Sequence, residues 1–160
     1  MKQKLQNEID ATRVYLCGPI NGCDDATCND WRTYAKEHLQ NCVTLDPMRR
    51  DYRGRETAPG IAAEIVGGDE ADVRECDIIL ASCPKPSWGT AMELRMAKAE
   101  FGKIVFAVIP RNVVPSPWLL HHCDALFNTI QDAVMAINGQ NLSNIKAAKA
   151  VTKFAEENAI

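Results

Sequence analysis

Apolar residues gather into four short runs, at 14–17, 43–45, 78–83 and 104–109. Each is rich in β-branched residues and bounded by Gly, Pro or Asp, the pattern of strands buried on both faces of a parallel sheet. Between them the period changes to that of a helix. Trp31, Tyr34, Ala35 and Leu39 recur at helical spacing behind Asn29 or Asp30, either of which can cap a helix running to about Gln40. Residues 61–76 read as one or two helical pieces broken near Gly67 and Gly68, and residues 89–101 as a helix closed by Gly102. Farther on, 117–122 suits a short helical turn, 125–127 a weak edge strand and 129–138 a helix stopped by Gly139. Residues 140–160 carry Ile145, Ala148, Val151, Thr152 and Ala155 on one face, which suits a peripheral C-terminal helix or tail. The alternation predicts an open α/β sandwich. Ligands of such folds bind at the strand C-terminal edge, so the loops at 18–27, 46–54, 84–90 and 110–118 are the places to look for chemistry.

Size and charge narrow what that edge can hold. At 160 residues, 46% hydrophobic and 24% charged, the chain is expected to form a single domain over 1–160 with its core in 13–138. The net charge of −3 supplies no basic field for a nucleic acid polymer or an anionic membrane, so the expected partner is a small molecule. No apolar run approaches the roughly 20 residues of a bilayer span, and residues 1–12 are polar, so the cytosol is the expected compartment. The seven cysteines are odd in number, and their tightest spacings, Cys17 to Cys23 to Cys28 and Cys76 to Cys83, are not those of zinc pairs. Reduced thiols are expected, and no metal site.

Two carboxylates stand out. Glu93 lies about one turn into a helix that follows a buried strand, where the helix N-terminus would keep it ionised, as a nucleophile requires. An acid there also serves as a plain dipole partner, but Met96 and Ala97 share its stripe and turn it toward the sheet. Asp69 falls on one face with Ala62, Ile65, Val66, Val73 and Cys76, an acid amid an apolar stripe, or else a helix cap after Gly67 and Gly68. One nucleophilic and one proton-donating carboxyl group together suffice to break a glycosidic bond through a covalent intermediate. Gly18 and its neighbours let backbone N–H groups approach a ligand, without the dinucleotide-binding glycine pattern. Arg49, Arg50 and Arg53 cluster with Asp46 and Asp51 in what reads as a salt-bridged loop, one arginine of which can meet a phosphate.

Tyr15-Leu16-Cys17-Gly18-Pro19-Ile20, then Asp69 eight residues before Asp77, then Gly89-Thr90-Ala91-Met92-Glu93-Leu94 and Gly102-Lys103-Ile104-Val105, resemble the nucleoside 2-deoxyribosyltransferase family over roughly residues 13–124. The resemblance implies a flavodoxin/Rossmann-like three-layer sandwich around a mostly parallel, roughly five-stranded sheet. It implies that Glu93 attacks C1′ of a nucleoside or nucleotide, that Asp69 protonates the departing nucleobase or orients the nucleoside, and that Tyr15 hydrogen-bonds Glu93. Gly18 and Ile20 would line the sugar and nucleobase pocket. Six residues before the nucleophile, transferases acting on free nucleosides typically carry an aspartate, whereas this chain has Ser87, as in the 2′-deoxynucleoside 5′-phosphate N-hydrolase branch. Ser116 matches that branch's second phosphate-binding serine, donated by a neighbouring subunit, which implies a homodimer or higher homo-oligomer with shared sites. Pro19 stands where those hydrolases have serine and Asn21 where they have arginine, with Arg49 or Arg50 as compensating ligands. The implied substrate-binding set is thus Gly18, Pro19, Ile20, Asn21, Arg49, Arg50, Ser87, Gly89 and Ser116, with no metal or redox cofactor. The reaction so implied is release of a free nucleobase and (deoxy)ribose 5-phosphate. Nucleobase exchange by a deoxyribosyltransferase and a non-catalytic nucleotide-binding module are the alternatives.

Overall fold

The computed structural model describes residues 11–139. Its sheet has five strands, all parallel: β1 (Thr12–Cys17), β2 (Cys42–Leu45), β3 (Ile78–Ser82), β4 (Ile104–Val108) and β5 (Ala125–Phe127), in the order β2-β1-β3-β4-β5. Five α-helices connect or follow them: α1 (Asp25–His38), α2 (Ile61–Glu75), α3 (Trp88–Ala99), α4 (Pro117–His122) and α5 (Ile130–Asn138). A 3₁₀ turn, Pro47–Arg50, follows β2.

The strand period of two sends alternate side chains into two cores. Tyr15, Cys17, Ile79, Ala81, Val105 and Ala107 pack with Val73 of α2 and Leu94 and Ala97 of α3. Val14, Leu16, Ile78, Leu80 and Phe106 pack on the other face with Ala35 of α1 and Ile130, Ala133, Val134 and Ile137 of α5. The result is the expected three-layer α/β sandwich with flavodoxin-like strand order. Among the described residues, no helix is long and apolar enough to cross a membrane. The expected C-terminal helix or tail over 140–160 lies outside the described residues.

Two helices differ from the sequence reading. The first begins at Asp25 rather than after Asn29 or Asp30, because the Asp24 side chain accepts from the Thr27 N–H at 2.7 Å. The earlier start puts Cys28 and Arg32 on the buried face. The second runs unbroken through Gly67 and Gly68, so Asp69 caps nothing. Gly68 is there for space: a Cβ would come within 2.8 Å of Arg50 Nε, whose guanidinium lies against the helix. The inward stripe of α2 is also rotated from the expected one, through Ile65, Asp69, Asp72, Val73 and Cys76, leaving Ala62 exposed and Val66 63% exposed.

Candidate active site

The chain leaves β1 toward β2 on one side and returns to β3 on the other, so the loops after β1 and β3 diverge and open a crevice between them. A cleft of about 170 Å³ occupies it. Gly18, Ile20 and Asn21 after β1 form one wall, and Pro47, Met48, Arg50, Asp51, Tyr52, Arg53 and Glu56 after β2 another. Ile65 and Asp69 of α2 close the side, with Ser87, Gly89, Thr90 and Glu93 at the start of α3. Three of the four loops contribute. The fourth, after β4, faces a separate apolar cleft of about 360 Å³ on the far side of α3, with Val113, Val114, Ser116 and Trp118 in its lining. The two clefts share Ser87 and Thr90.

Glu93 is the centre of the first cleft. Tyr15 Oη donates to its Oε1 at 2.6 Å and Cys17 Sγ to its Oε2 at 2.9 Å. Both donors come from β1, two residues apart and therefore on the same face of the sheet. Glu93 lies beyond the first turn of α3, so the helix N-terminus does not govern its ionisation as expected. Burial pushes its carboxyl up to about 7, against the lowering effect of the Cys17 and Tyr15 hydrogen bonds. Loss of solvation outweighs two donors. Burial likewise raises the Tyr15 hydroxyl and the Cys17 thiol, so both stay protonated and able to donate.

Asp69 is held by Arg50, whose Nη2 reaches Asp69 Oδ1 at 2.9 Å and Asp72 Oδ2 at 2.7 Å. Burial raises the Asp69 carboxyl despite this partner. Asp72, which also accepts from Arg49 at 2.5 Å, is lowered, its burial overcome by two guanidinium groups. Arg53 pairs with Asp51 and Asp25, each at 2.7 Å. Every arginine of this loop cluster is therefore already engaged by carboxylates.

The structure brings Gly18, Ile20, Asn21, Arg50, Asp69, Ser87, Gly89 and Glu93 to one cleft, with Tyr15 buried behind Glu93. Pro19 is buried and Arg49 turned to Asp72, and neither lines the cleft. Ser116 caps α4, its Oγ accepting from Leu119 N–H at 3.3 Å, and lines only the apolar cleft. Ser87 caps α3. Tyr52, Glu56 and Asp72 went unnoticed in the sequence and Ile65 was read only as part of an apolar stripe; Arg32, fully buried beneath the first loop, was missed as well. Its guanidinium donates to the carbonyls of Leu16 at 3.3 Å and Gly18 at 3.2 Å and stands 3.4 Å from Asp46. A Cβ on Gly18 would lie 2.9 Å from Trp31 and 3.2 Å from the Ser82 carbonyl, so this loop is packed too tightly for any side chain there. Asp46 ahead of Arg49 and an arginine four residues after a small buried residue were the available signals, and both read equally well as surface charge. Among the described residues no cluster of three or more His, Cys, Asp or Glu is placed to hold a metal ion.

Fold and cleft define a doubly wound α/β protein with a carboxylate-bearing site at the switch point of its sheet. The family model for nucleoside 2-deoxyribosyltransferase matches residues 14–116, and the chain belongs to that enzyme family. No curated protein matches significantly. Among solved structures the chain is similar to the 2-deoxyribosyltransferase of Bacillus psychrosaccharolyticus, with 16% identity, a TM-score of 0.64 and coverage of 84% of this chain and 96% of that one. It is similar to a conserved protein from Enterococcus faecalis, with 14% identity, TM-score 0.63 and coverage of 79% and 97%. A CMP N-glycosidase of Clostridium botulinum matches with 15% identity, TM-score 0.51 and coverage of 79% and 99%. At these identities the likeness is one of fold.

Proposed function

We propose that the protein hydrolyses the N-glycosidic bond of a (deoxy)nucleoside 5′-monophosphate, releasing a free nucleobase and (deoxy)ribose 5-phosphate. The observation that carries this reading is the Glu93 carboxylate held between Tyr15 and Cys17 in a cleft that also contains Asp69 and the α3 cap Ser87. Glu93 attacks C1′ as the C1′–N bond breaks, and Asp69 gives its proton to the departing base, a role suited to a carboxyl raised by burial. Water then attacks C1′, gives up a proton to Asp69 and frees Glu93.

Four carboxylates, Asp51, Glu56, Asp69 and Glu93, line the cleft against two arginines already paired, Arg50 and Arg53. A phosphate is therefore best received at the other end, by the Ser87 hydroxyl and the α3 N-terminus at Gly89. That end opens onto the apolar cleft, where Ser116 lies and where Trp88 and Val114 are 90% and 91% exposed. A second copy packed on this face would cover them and bring its own Ser116 toward the phosphate, giving a homodimer with shared sites. The nucleobase would lie against Ile20 and Met48.

Incubating the protein with a panel of ribo- and deoxyribonucleoside monophosphates and resolving free nucleobase by chromatography tests the proposal. Release from monophosphates and not from nucleosides is the expected result. Exchange between a deoxynucleoside and an added base, abolished by a 5′-phosphate, would make it a transferase. Binding without turnover of either would make it a nucleotide-binding module.

A further inference from the structure

All seven cysteines are free, and five of them are buried, yet they are not equivalent. Cys28 donates weakly to the Ile20 carbonyl at 3.7 Å and Cys76 to the Val73 carbonyl at 3.2 Å, while Cys83 and Cys123 pack in the apolar core. Cys17 alone among the seven donates to an ionisable group, Oε2 of Glu93. The strand period that turns Tyr15 toward α3 turns Cys17 there as well, so β1 offers one donor to each oxygen of the same carboxylate.

We propose that Cys17 is a positioning residue for the reaction: with Tyr15 it fixes the plane of the Glu93 carboxylate and favours its charged form without neutralising its nucleophilicity. The inference rests on the reading of Glu93 as nucleophile. A carboxylate with one anchored oxygen can rotate about the bond to its Cγ, whereas anchoring both oxygens leaves a single orientation toward C1′. The chemistry of the donor suits the task. A phenol O–H is a firm donor and a thiol S–H a weak one, so Oε2 is held while retaining more of the charge than Oε1. A serine in this place would donate more strongly and draw more charge from the attacking group. The other groups facing Glu93 are Tyr15 from β1, Asp69 from α2, which opposes its ionisation, and Arg32 from α1, which favours it. Cys83, after β3, faces Cys17 in turn.

The test compares Cys17→Ala and Cys17→Ser with the wild type by two readouts. One is the pH profile of kcat/KM on the nucleotide most rapidly turned over. The other is the NMR titration of 13C-labelled glutamate carboxyl carbons, with the Glu93 signal assigned through Glu93→Gln. Loss of a donor to the charged form makes ionisation harder, so Cys17→Ala moves the Glu93 midpoint up by roughly one pH unit, and kcat/KM at pH 6 falls about tenfold, recovering in part at high pH. Cys17→Ser restores the midpoint to the wild-type value or below it, with kcat reduced several-fold. If both variants melt lower while the Glu93 midpoint stays within about 0.2 unit of the wild type, Cys17 only fills space and the proposal is overturned. If the wild type turns over no nucleotide or nucleoside, the functional reading fails, and the carboxyl titration still decides whether Cys17 sets the state of Glu93.

Discussion

The two clefts on either side of α3 share a helix and two residues, Ser87 and Thr90, and little else. On the side of β1 and β2 the central charged groups have partners: Glu93 with Tyr15 and Cys17, Asp69 with Arg50, Arg53 with Asp51. On the other side, Trp88, Val114 and Trp118 present apolar surface to water, Trp118 at 70% exposure, beside the Ser116 cap of α4. Burial of carboxylates costs solvation, and a fold retains it where the displaced ionisation does work. Exposed aromatic surface has the opposite sign: it is stabilised by being covered. The first cleft thus gathers buried and paired carboxylates of one chain, and the second is apolar surface left open to water.

Substitutions that exchange these properties should separate the two. The largest effect is expected for Glu93→Gln, which should lower kcat by on the order of 10⁴-fold or more if Glu93 is the nucleophile. The same variant should be more stable at neutral pH. With its carboxyl raised from about 4.5 to about 7, the folded wild type keeps a proton that the unfolded chain has lost, so stability falls as pH rises through that window. Denaturant melts at pH 8 should therefore favour Glu93→Gln by on the order of 2 kcal/mol, with the gap closing near pH 5. For activity, the kcat/KM of the wild type should rise with pH up to about 7 as Glu93 ionises.

Asp69→Asn comes next, with an expected loss of about 10²- to 10⁴-fold in kcat, smaller on substrates whose base departs without protonation. An equal loss on both kinds of substrate would remove Asp69 from the proton-donor role. In the second cleft, Trp118→Glu should halve the mass seen by light scattering and raise KM about tenfold, with the monomer still folded by circular dichroism. Unchanged mass and KM would mean that the apolar cleft packs no second copy. The smallest change is expected of Gly68→Ala. The added methyl group displaces Arg50 from the face of α2. A gain in helix propensity of about 1 kcal/mol is then offset by the lost pairing with Asp69 and Asp72, leaving stability nearly level and activity a few-fold lower. Thermal melts and initial rates on one batch of protein would show both.

Much of this was readable before any coordinates. The four apolar runs lie within one or two residues of β1 to β4; for β1, β3 and β4 this is because a strand buried on both faces has no polar alternative to compete with, whereas the edge strand β2 is only partly buried. The short strand Ala125–Phe127 and helix Pro117–His122 fall where turn residues bracket them. The α1 start was misplaced because residues 24–30 offer several capping side chains and local pattern does not rank them; burial of Cys28 and Arg32 does. A break in α2 was expected because paired glycines signal one, and nothing local reveals that Gly68 leaves room for Arg50. Arg32 was invisible for a similar reason, being a cation whose acceptors are carbonyls of a distant strand and loop.

The sequence by itself determined the alternating architecture and singled out the two carboxylates that the fold brings to one cleft, because periodicity and residue type are properties of local chain. Tertiary structure decided the states of those groups. Glu93 lies 78 residues from Tyr15 and 76 from Cys17, and the burial that lifts its carboxyl exists only once β1, α2 and α3 are packed together. Ionisation depends on solvation and on neighbours distant in sequence, so an acid that local pattern reads as permanently charged becomes, in the folded chain, one poised near neutrality.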